Sequence, residues 1–206
     1  MDLQSASLVF IFVSLVLSVS IHEAMHAFTA HWLGDDTAHR EGRITLNPLA
    51  HIDFLTTILL PLILIAFHLP PIMAAKPVPF NPNRVKWDEF GAALVGLAGP
   101  LTNLLLAVLG AGLLRTLTPD PGTFLYQGLF TFFQVNILLF VFNMLPIPPL
   151  DGSRLVYALA PESLQKVMYQ LETMGLMFLL PILFILMPVI SPIIDKVSTA
   201  IQTFLL

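Results

Sequence analysis

Hydrophobic positions in this chain fall into long blocks rather than alternating with polar ones, and several blocks have the length of a membrane-crossing helix. The first runs from Ser7 to Leu33 and stops at Gly34, a residue suited to ending a helix. A polar stretch from Asp35 to Asp53 follows, within which Gly42 to Leu46 is a candidate for extended backbone. The next apolar run, Phe54 to Leu69, has sixteen residues and is interrupted by Pro61. A full crossing needs about 20 residues, so a short span or a re-entrant piece is expected. The Pro-rich stretch from Pro70 to Asn83 excludes helix. Extended backbone of that kind is tolerated at membrane depth only where protein buries it or it lines a wet cavity.

The third span, Phe90 to Leu117, opens with Gly91, Ala92, Ala93, Gly96, Ala98 and Gly99, small residues that let helices approach closely in lipid. The fourth, Phe124 to about Leu145, is broken by Pro146, Pro148 and Pro149. A short polar connector, Asp151 to Gln170, leads to a fifth apolar run, Met174 to Ile190. In the tail, Ile193, Ile194, Val197, Ile201 and Leu205 recur at helical spacing, as in a helix lying flat on the membrane interface. The expected fold is all-α: a polytopic membrane helix bundle of about four to six transmembrane segments with a short re-entrant or extended Pro-rich segment.

Composition agrees. Only 11% of residues are charged and 56% are hydrophobic, too few polar groups to clothe a water-soluble surface, so the lipid bilayer is the expected solvent. The net charge of −4 gives no basic footprint for nucleic acid. With no cysteine, disulfides and thiolate chemistry are excluded, and His, Asp and Glu remain as metal ligands. The absence of Lys and Arg before Arg40 argues for a retained first helix rather than a cleaved signal. If every apolar run crosses, five basic residues lie on one side and four on the other, which leaves the orientation open. No internal repeat, low-complexity tract or soluble domain is visible.

The first span carries the candidate chemistry. His22-Glu23-Ala24-Met25-His26 is an H-E-x-x-H pattern. On a helix, residues four apart share a face, so His22 and His26 can present both imidazoles to one ion, commonly zinc. Glu23, beside them, is a candidate general base for water activated by the metal. An ionisable residue at the centre of a membrane helix costs at least about 2.5–3.5 kcal/mol on insertion scales, and three within one turn call for a compensating interaction. Metal ligation supplies it. The other reading is a pair of neutral histidines hydrogen-bonded to neighbouring helices, with Glu23 protonated.

A catalytic zinc site takes a third protein ligand and keeps one open position. Asp151, followed by Gly152 where prolines break the fourth helix, is the best candidate. An ordinary Asp-Gly turn at the membrane surface would look the same, and spacing does not choose between them. His31, His39, His51 and His68 read as loop or helix-end residues, with His51 and Asp53 as a conceivable supporting pair.

His22-Glu23-x-x-His26 in a membrane helix, together with Asn143-x-x-Pro146 and Asp151-Gly152, resembles the site-2 protease family of intramembrane zinc metalloproteases. Gly99-Pro100-Leu101-Thr102-Asn103 is similar to that family's G-P-x-x-N element, and Asn47-Pro48-x-x-His51-x-Asp53 and Ala75 to Pro82 resemble its short prokaryotic branch, which lacks a PDZ or nucleotide-binding domain. The resemblance implies one Zn²⁺ per chain held by His22, His26 and Asp151, with Glu23 activating the attacking water. It offers Asn103 and Asn143 as contacts to substrate backbone or to the developing oxyanion, or else as helix-packing and ligand-orienting residues. It further implies a single metalloprotease domain over residues 1–206, placed in a prokaryotic cell membrane and acting on transmembrane protein substrates. The oligomeric state is not implied.

The ligand set imposes a condition on topology. If both apolar runs between Leu33 and Phe124 crossed fully, the first and fourth helices would be antiparallel, and Asp151 would miss His22 by something like 20 Å at 1.5 Å per residue. The short run with its Pro-rich continuation is therefore expected to enter and return on one side, or the Pro-rich chain to cross back extended. Two rival functions remain: a zinc-binding sensor or scaffold without proteolysis, for which Glu23 would be superfluous, and a transporter, which would be expected to show repeated halves.

Overall fold

The computed structural model describes residues 3–51, 53, 59 and 78–206, and among them it has seven α-helices and no strand. They are α1 (Leu3–Trp32), α2 (Thr37–Arg40), α3 (Asp88–Leu117), α4 (Phe124–Asn143), α5 (Gly152–Leu159), α6 (Glu162–Met174) and α7 (Leu176–Leu205). Four segments, Ala6–Trp32, Asp88–Leu117, Phe124–Asn143 and Met177–Leu205, are long and apolar enough to cross a membrane. Helix α3, at 30 residues, reaches about 45 Å at 1.5 Å per residue, more than the ~30 Å of a hydrocarbon core.

The helices pack by their small and polar faces. On α1 the buried positions include Ser14, Ser18, Ala24, Ala27 and Ala30, while Leu8, Phe12, Phe28 and Trp32 are exposed. On α3 the buried set is dominated by Gly91, Ala92, Ala93, Gly96, Gly99, Ala107, Gly110 and Ala111. Lipid is as apolar as leucine, so large side chains gain little by turning inward, whereas small ones allow backbones to touch. A more conventional apolar core lies farther along α3 and α4, where Leu114, Phe133, Ile137 and Val141 meet Leu179, Leu183, Ile190 and Ile194 of α7.

Contacts fix the helix directions. Along α1, Phe10 meets Gly128 and Ser18 meets Asn136, so α1 and α4 run parallel. His22 meets Asn103, His26 meets Val95 and Leu33 O accepts from Lys86 N–H (2.8 Å), so α1 and α3 are antiparallel. The chain from Leu33 to Lys86 therefore begins and ends on the same side, which satisfies the condition set by the ligands. The run expected to be re-entrant lies, apart from Leu59, outside the described residues.

One expectation is corrected, and two segments left open by the sequence are filled in. The fifth apolar run and the interfacial tail form one helix, α7, which continues through Pro181, Pro188 and Pro192 because packing of Ile190 and Ile194 on the core outweighs the lost amide bonds. The polar connector after Asp151 is helical, folded into α5 and α6. Gly42 to Leu46, the candidate for extended backbone, lies in irregular chain that forms neither helix nor strand.

Candidate metal centre

His22 and His26 are both buried, on the face of α1 that α3 covers. Asp151 reaches them because α4 ends at Asn143 and the proline-containing loop folds back before α5 starts. A Cβ on Gly152 would sit 2.4 Å from the Met144 carbonyl oxygen, so the return of the loop onto its own beginning requires glycine there. Asp151 occupies the N-cap position of α5 yet makes no capping bond with its side chain. Its Oδ2 lies 3.1 Å from His22 Nε2 and 3.4 Å from His26 Nε2 instead. The two Nε2 atoms are 3.0 Å apart.

The outer nitrogens establish what these three atoms can be. His26 Nδ1–H donates to the Val95 carbonyl (2.6 Å), an acceptor with no donor end. His22 Nδ1–H donates to Asn103 Oδ1 (2.6 Å). Neutral imidazoles that donate from Nδ1 carry a lone pair on Nε2. With both imidazoles neutral, two lone pairs and a carboxylate oxygen face one another at hydrogen-bonding separation. A proton can relieve one pair of the three; a divalent cation relieves all three together. Tetrahedral zinc with bonds of about 2.0–2.1 Å has ligand–ligand edges of about 3.3 Å, close to the observed triangle. The donor set therefore fits zinc.

Gly99 faces the two imidazoles from the α3 side. A Cβ there would lie 2.4 Å from His26 Nε2 and 2.5 Å from His22 Nε2, near where an ion would sit. The sequence marked Gly99 as a close-packing residue and as part of the G-P-x-x-N element; its steric relation to the imidazoles had no local signal.

Glu23 is half-buried next to the pair, and its Oε2 accepts Val78 N–H (3.0 Å). The irregular segment Val78 to Asn81 is tied a second time at Asp35, whose Oδ2 accepts Asn81 N–H (2.6 Å). Asp35 also accepts from Thr37 N–H and Oγ1–H. Burial disfavours its charged form, but the Thr37 hydroxyl, the Asn81 and Thr37 amides and the nearby Arg84 outweigh it and hold the carboxyl below its ordinary range. In the sequence Asp35 was one polar residue among many.

Asn103 is fully buried behind His22, its Nδ2 donating to Asn136 Oδ1 (3.0 Å). Asn143 is half-buried at the end of α4 and donates to the Leu139 carbonyl (3.0 Å). His51 is a buried loop histidine bonded through Nε2 to the Thr45 carbonyl (2.8 Å). A second gathering, His31, Asp36 and His39, is more open to solvent. Its imidazoles stack at 4.9 Å between centroids and 25° between planes, so their in-plane lone pairs run side by side rather than converging.

Comparison with known proteins agrees with this geometry. The profile of peptidase family M50 matches residues 122–187, which include Asp151. YwhC of Bacillus subtilis, named as a candidate zinc metalloprotease, is 38% identical over 183 residues, covering 85% of this chain and 80% of that protein. Rip2 of Mycolicibacterium smegmatis, similarly named, is 33% identical over 182 residues, covering 85% of this chain and 66% of that protein. A Methanocaldococcus jannaschii protein with the same kind of name is 48% identical over 63 residues, 30% of this chain and 31% of its own length. No solved structure matches. With similarity running along most of the chain, membrane-length helices and a His/His/Asp cluster suited to a metal, the chain belongs to peptidase family M50 and is a site-2 protease-like, zinc-dependent intramembrane metalloprotease of a prokaryotic cell membrane.

Proposed function

We propose that the chain is an endopeptidase hydrolysing peptide bonds in or near transmembrane segments of membrane-protein substrates, with one Zn²⁺ held by His22, His26 and Asp151, and that residues 1–206 act as a single metalloprotease domain. The observation that carries this reading is the triangle of convergent donor atoms, 3.0 to 3.4 Å on a side, that Asp151 closes against two histidines of a helix also bearing the Glu23 carboxylate. Zinc bound there supplies a Lewis acid that polarises a carbonyl and brings the pKa of water down to about 7. Held by His22, His26 and Asp151 alone, such an ion would keep room for water or substrate.

Glu23 is the general base. It takes the proton of the attacking water and returns it to the leaving amine. Val78 N–H donates to Oε2 and fixes the orientation of the Glu23 carboxylate. A substrate helix hides its carbonyls in hydrogen bonds and must unwind locally to be cut. The Val78 to Asn81 segment beside Glu23 is the candidate docking edge for the unwound chain. Asn143, where α4 gives way to the Asp151 loop, is the candidate for a contact to substrate backbone. Asn103, enclosed behind His22, is assigned to the ligand rather than to the substrate.

The test uses the full chain in lipid nanodiscs with a single-span substrate. Cleavage should stop with a chelator and return with zinc. Glu23→Gln should keep one zinc per chain by elemental analysis and lose at least about 10²-fold in kcat. Normal cleavage by Glu23→Gln would sink the base assignment. Zinc retained by a His22→Ala, His26→Ala double variant would sink the ligand assignment. Zinc bound by the wild type with no cleavage of any single-span substrate would favour the sensor reading.

A further inference from the structure

We propose that Asn136 and Ser18 are positioning residues for the metal centre, acting through Asn103 to keep His22 in the tautomer whose Nε2 lone pair faces the ion; the inference rests on the ligand set proposed above. Neither residue belongs to the H-E-x-x-H, G-P-x-x-N or Asp-Gly elements. Ser18, Asn103 and Asn136 are all fully buried. Three polar side chains enclosed within a membrane bundle need mutual hydrogen bonds to offset desolvation, and they form one connected chain across α1, α3 and α4.

The direction of that chain is determined at its far end. Asn136 Nδ2 donates to the Phe132 carbonyl (2.8 Å), which can only accept, and to Ser18 Oγ (2.8 Å). The Asn136 amide is thereby oriented with Oδ1 toward Asn103, where it accepts Nδ2–H (3.0 Å). Asn103 must then turn Oδ1 to His22, and the His22 proton must sit on Nδ1 (2.6 Å). From the Phe132 carbonyl onward each step leaves the next group a single choice, while the Ser18 hydroxyl, able to donate or accept, anchors the amide without choosing its direction.

The two histidines differ in what they need. The Nδ1 partner of His26 is a main-chain carbonyl, which has no donor end to offer. The Nδ1 partner of His22 is an amide whose oxygen and nitrogen can exchange places. With its amide reversed, Asn103 would donate to Nδ1, move the His22 proton to Nε2 and remove one metal ligand. Asn136, oriented by the Phe132 carbonyl and anchored by Ser18, prevents the reversal. Outer partners of metal-bound histidines typically change affinity by about 10–100-fold when removed.

The experiment titrates the metal-free full chain in detergent with Co²⁺, following its visible absorption and competition with a chelator, alongside the melting temperature of the metal-free protein. Asn136→Leu should weaken Co²⁺ binding by about 10–100-fold and alter the spectrum. Adding Asn103→Asp should restore binding to within about threefold, because a carboxylate accepts from His22 Nδ1–H whichever way it is turned. If Asn136→Leu does not fold, Asn136→Ala carries the same two expectations. A lower melting temperature with unchanged Co²⁺ affinity and spectrum would reduce Asn136 to a packing residue and overturn the inference. Weakened binding that Asn103→Asp fails to rescue would overturn it as well. Failure of the wild type to bind Co²⁺ in a manner dependent on His22, His26 and Asp151 would overturn the ligand set itself, a separate outcome.

Discussion

Two gatherings of two histidines and an aspartate lie within one helix length of each other, and only one has the geometry of a metal centre. His22, His26 and Asp151 are enclosed, and their donor atoms face a common point at 3.0 to 3.4 Å. His31, Asp36 and His39 have the same residue types, with donor atoms all within 4.8 Å. There, however, His31 Nδ1–H is spent on Asp36 (2.8 Å), the rings stack, and solvent reaches the group. Residue type and proximity are thus insufficient. What distinguishes the first group is that each imidazole has its outer nitrogen committed to an acceptor, leaving the inner lone pair no choice of direction.

That comparison breaks most sharply at Gly99. Gly99→Ala puts a methyl group within 2.5 Å of both Nε2 atoms, and metal content should fall from one per chain to near zero with cleavage lost, measured by elemental analysis and substrate assay. A Gly99→Ala protein that still held stoichiometric zinc would mean that the cavity is not where the imidazoles place it.

A smaller effect is expected at Asp35, which pins the Val78 to Asn81 segment without touching the ligand triangle. Asp35→Asn should cost about 1–3 kcal/mol of stability through weakened buried hydrogen bonds. The folded-state pKa of Asp35 is lowered below its unfolded value of about 3.9, so its contribution is complete above that value and is lost as pH falls through the lower folded pKa. Melting temperatures on acidification below about pH 4 should therefore fall more steeply for the wild type than for Asp35→Asn. Parallel curves would remove Asp35 from the acid-sensitive set.

The smallest effect belongs to the exposed gathering. His31→Ala and His39→Ala should leave zinc stoichiometry and kcat unchanged. Stability should shift by no more than about 1 kcal/mol, as exposed ion pairs and surface positions generally do. A second equivalent of zinc that disappears in either variant would erase the distinction between the two groups.

Much of the bundle was legible in the chain. Helices α1, α3 and α4 coincide with apolar blocks, and the breaks at Gly34 and at Pro146 to Pro149 fall where those residue types place them. Tail and fifth run were read as separate pieces because a proline's local cost is visible in sequence, while the compensating burial of Ile190 and Ile194 against α3 and α4 is not. The candidate site was legible to a similar degree. His22, Glu23, His26 and Asp151 stood out, whereas Asn136, Ser18 and Asp35 did not, since a single Asn, Ser or Asp in a helix or loop carries no periodic signature.

What the sequence by itself determined is everything that depends on near neighbours: helices of membrane length, and two imidazoles on one face because residues four apart on a helix must share it. Only the tertiary structure decided which carboxylate returns to that face, which glycine leaves room beside it, and which amide holds His22 in one tautomer. The bonds involved join residues 81 and 118 positions apart, and no local pattern specifies such a meeting. It is settled by which small-residue faces let the helices come together, and in what direction.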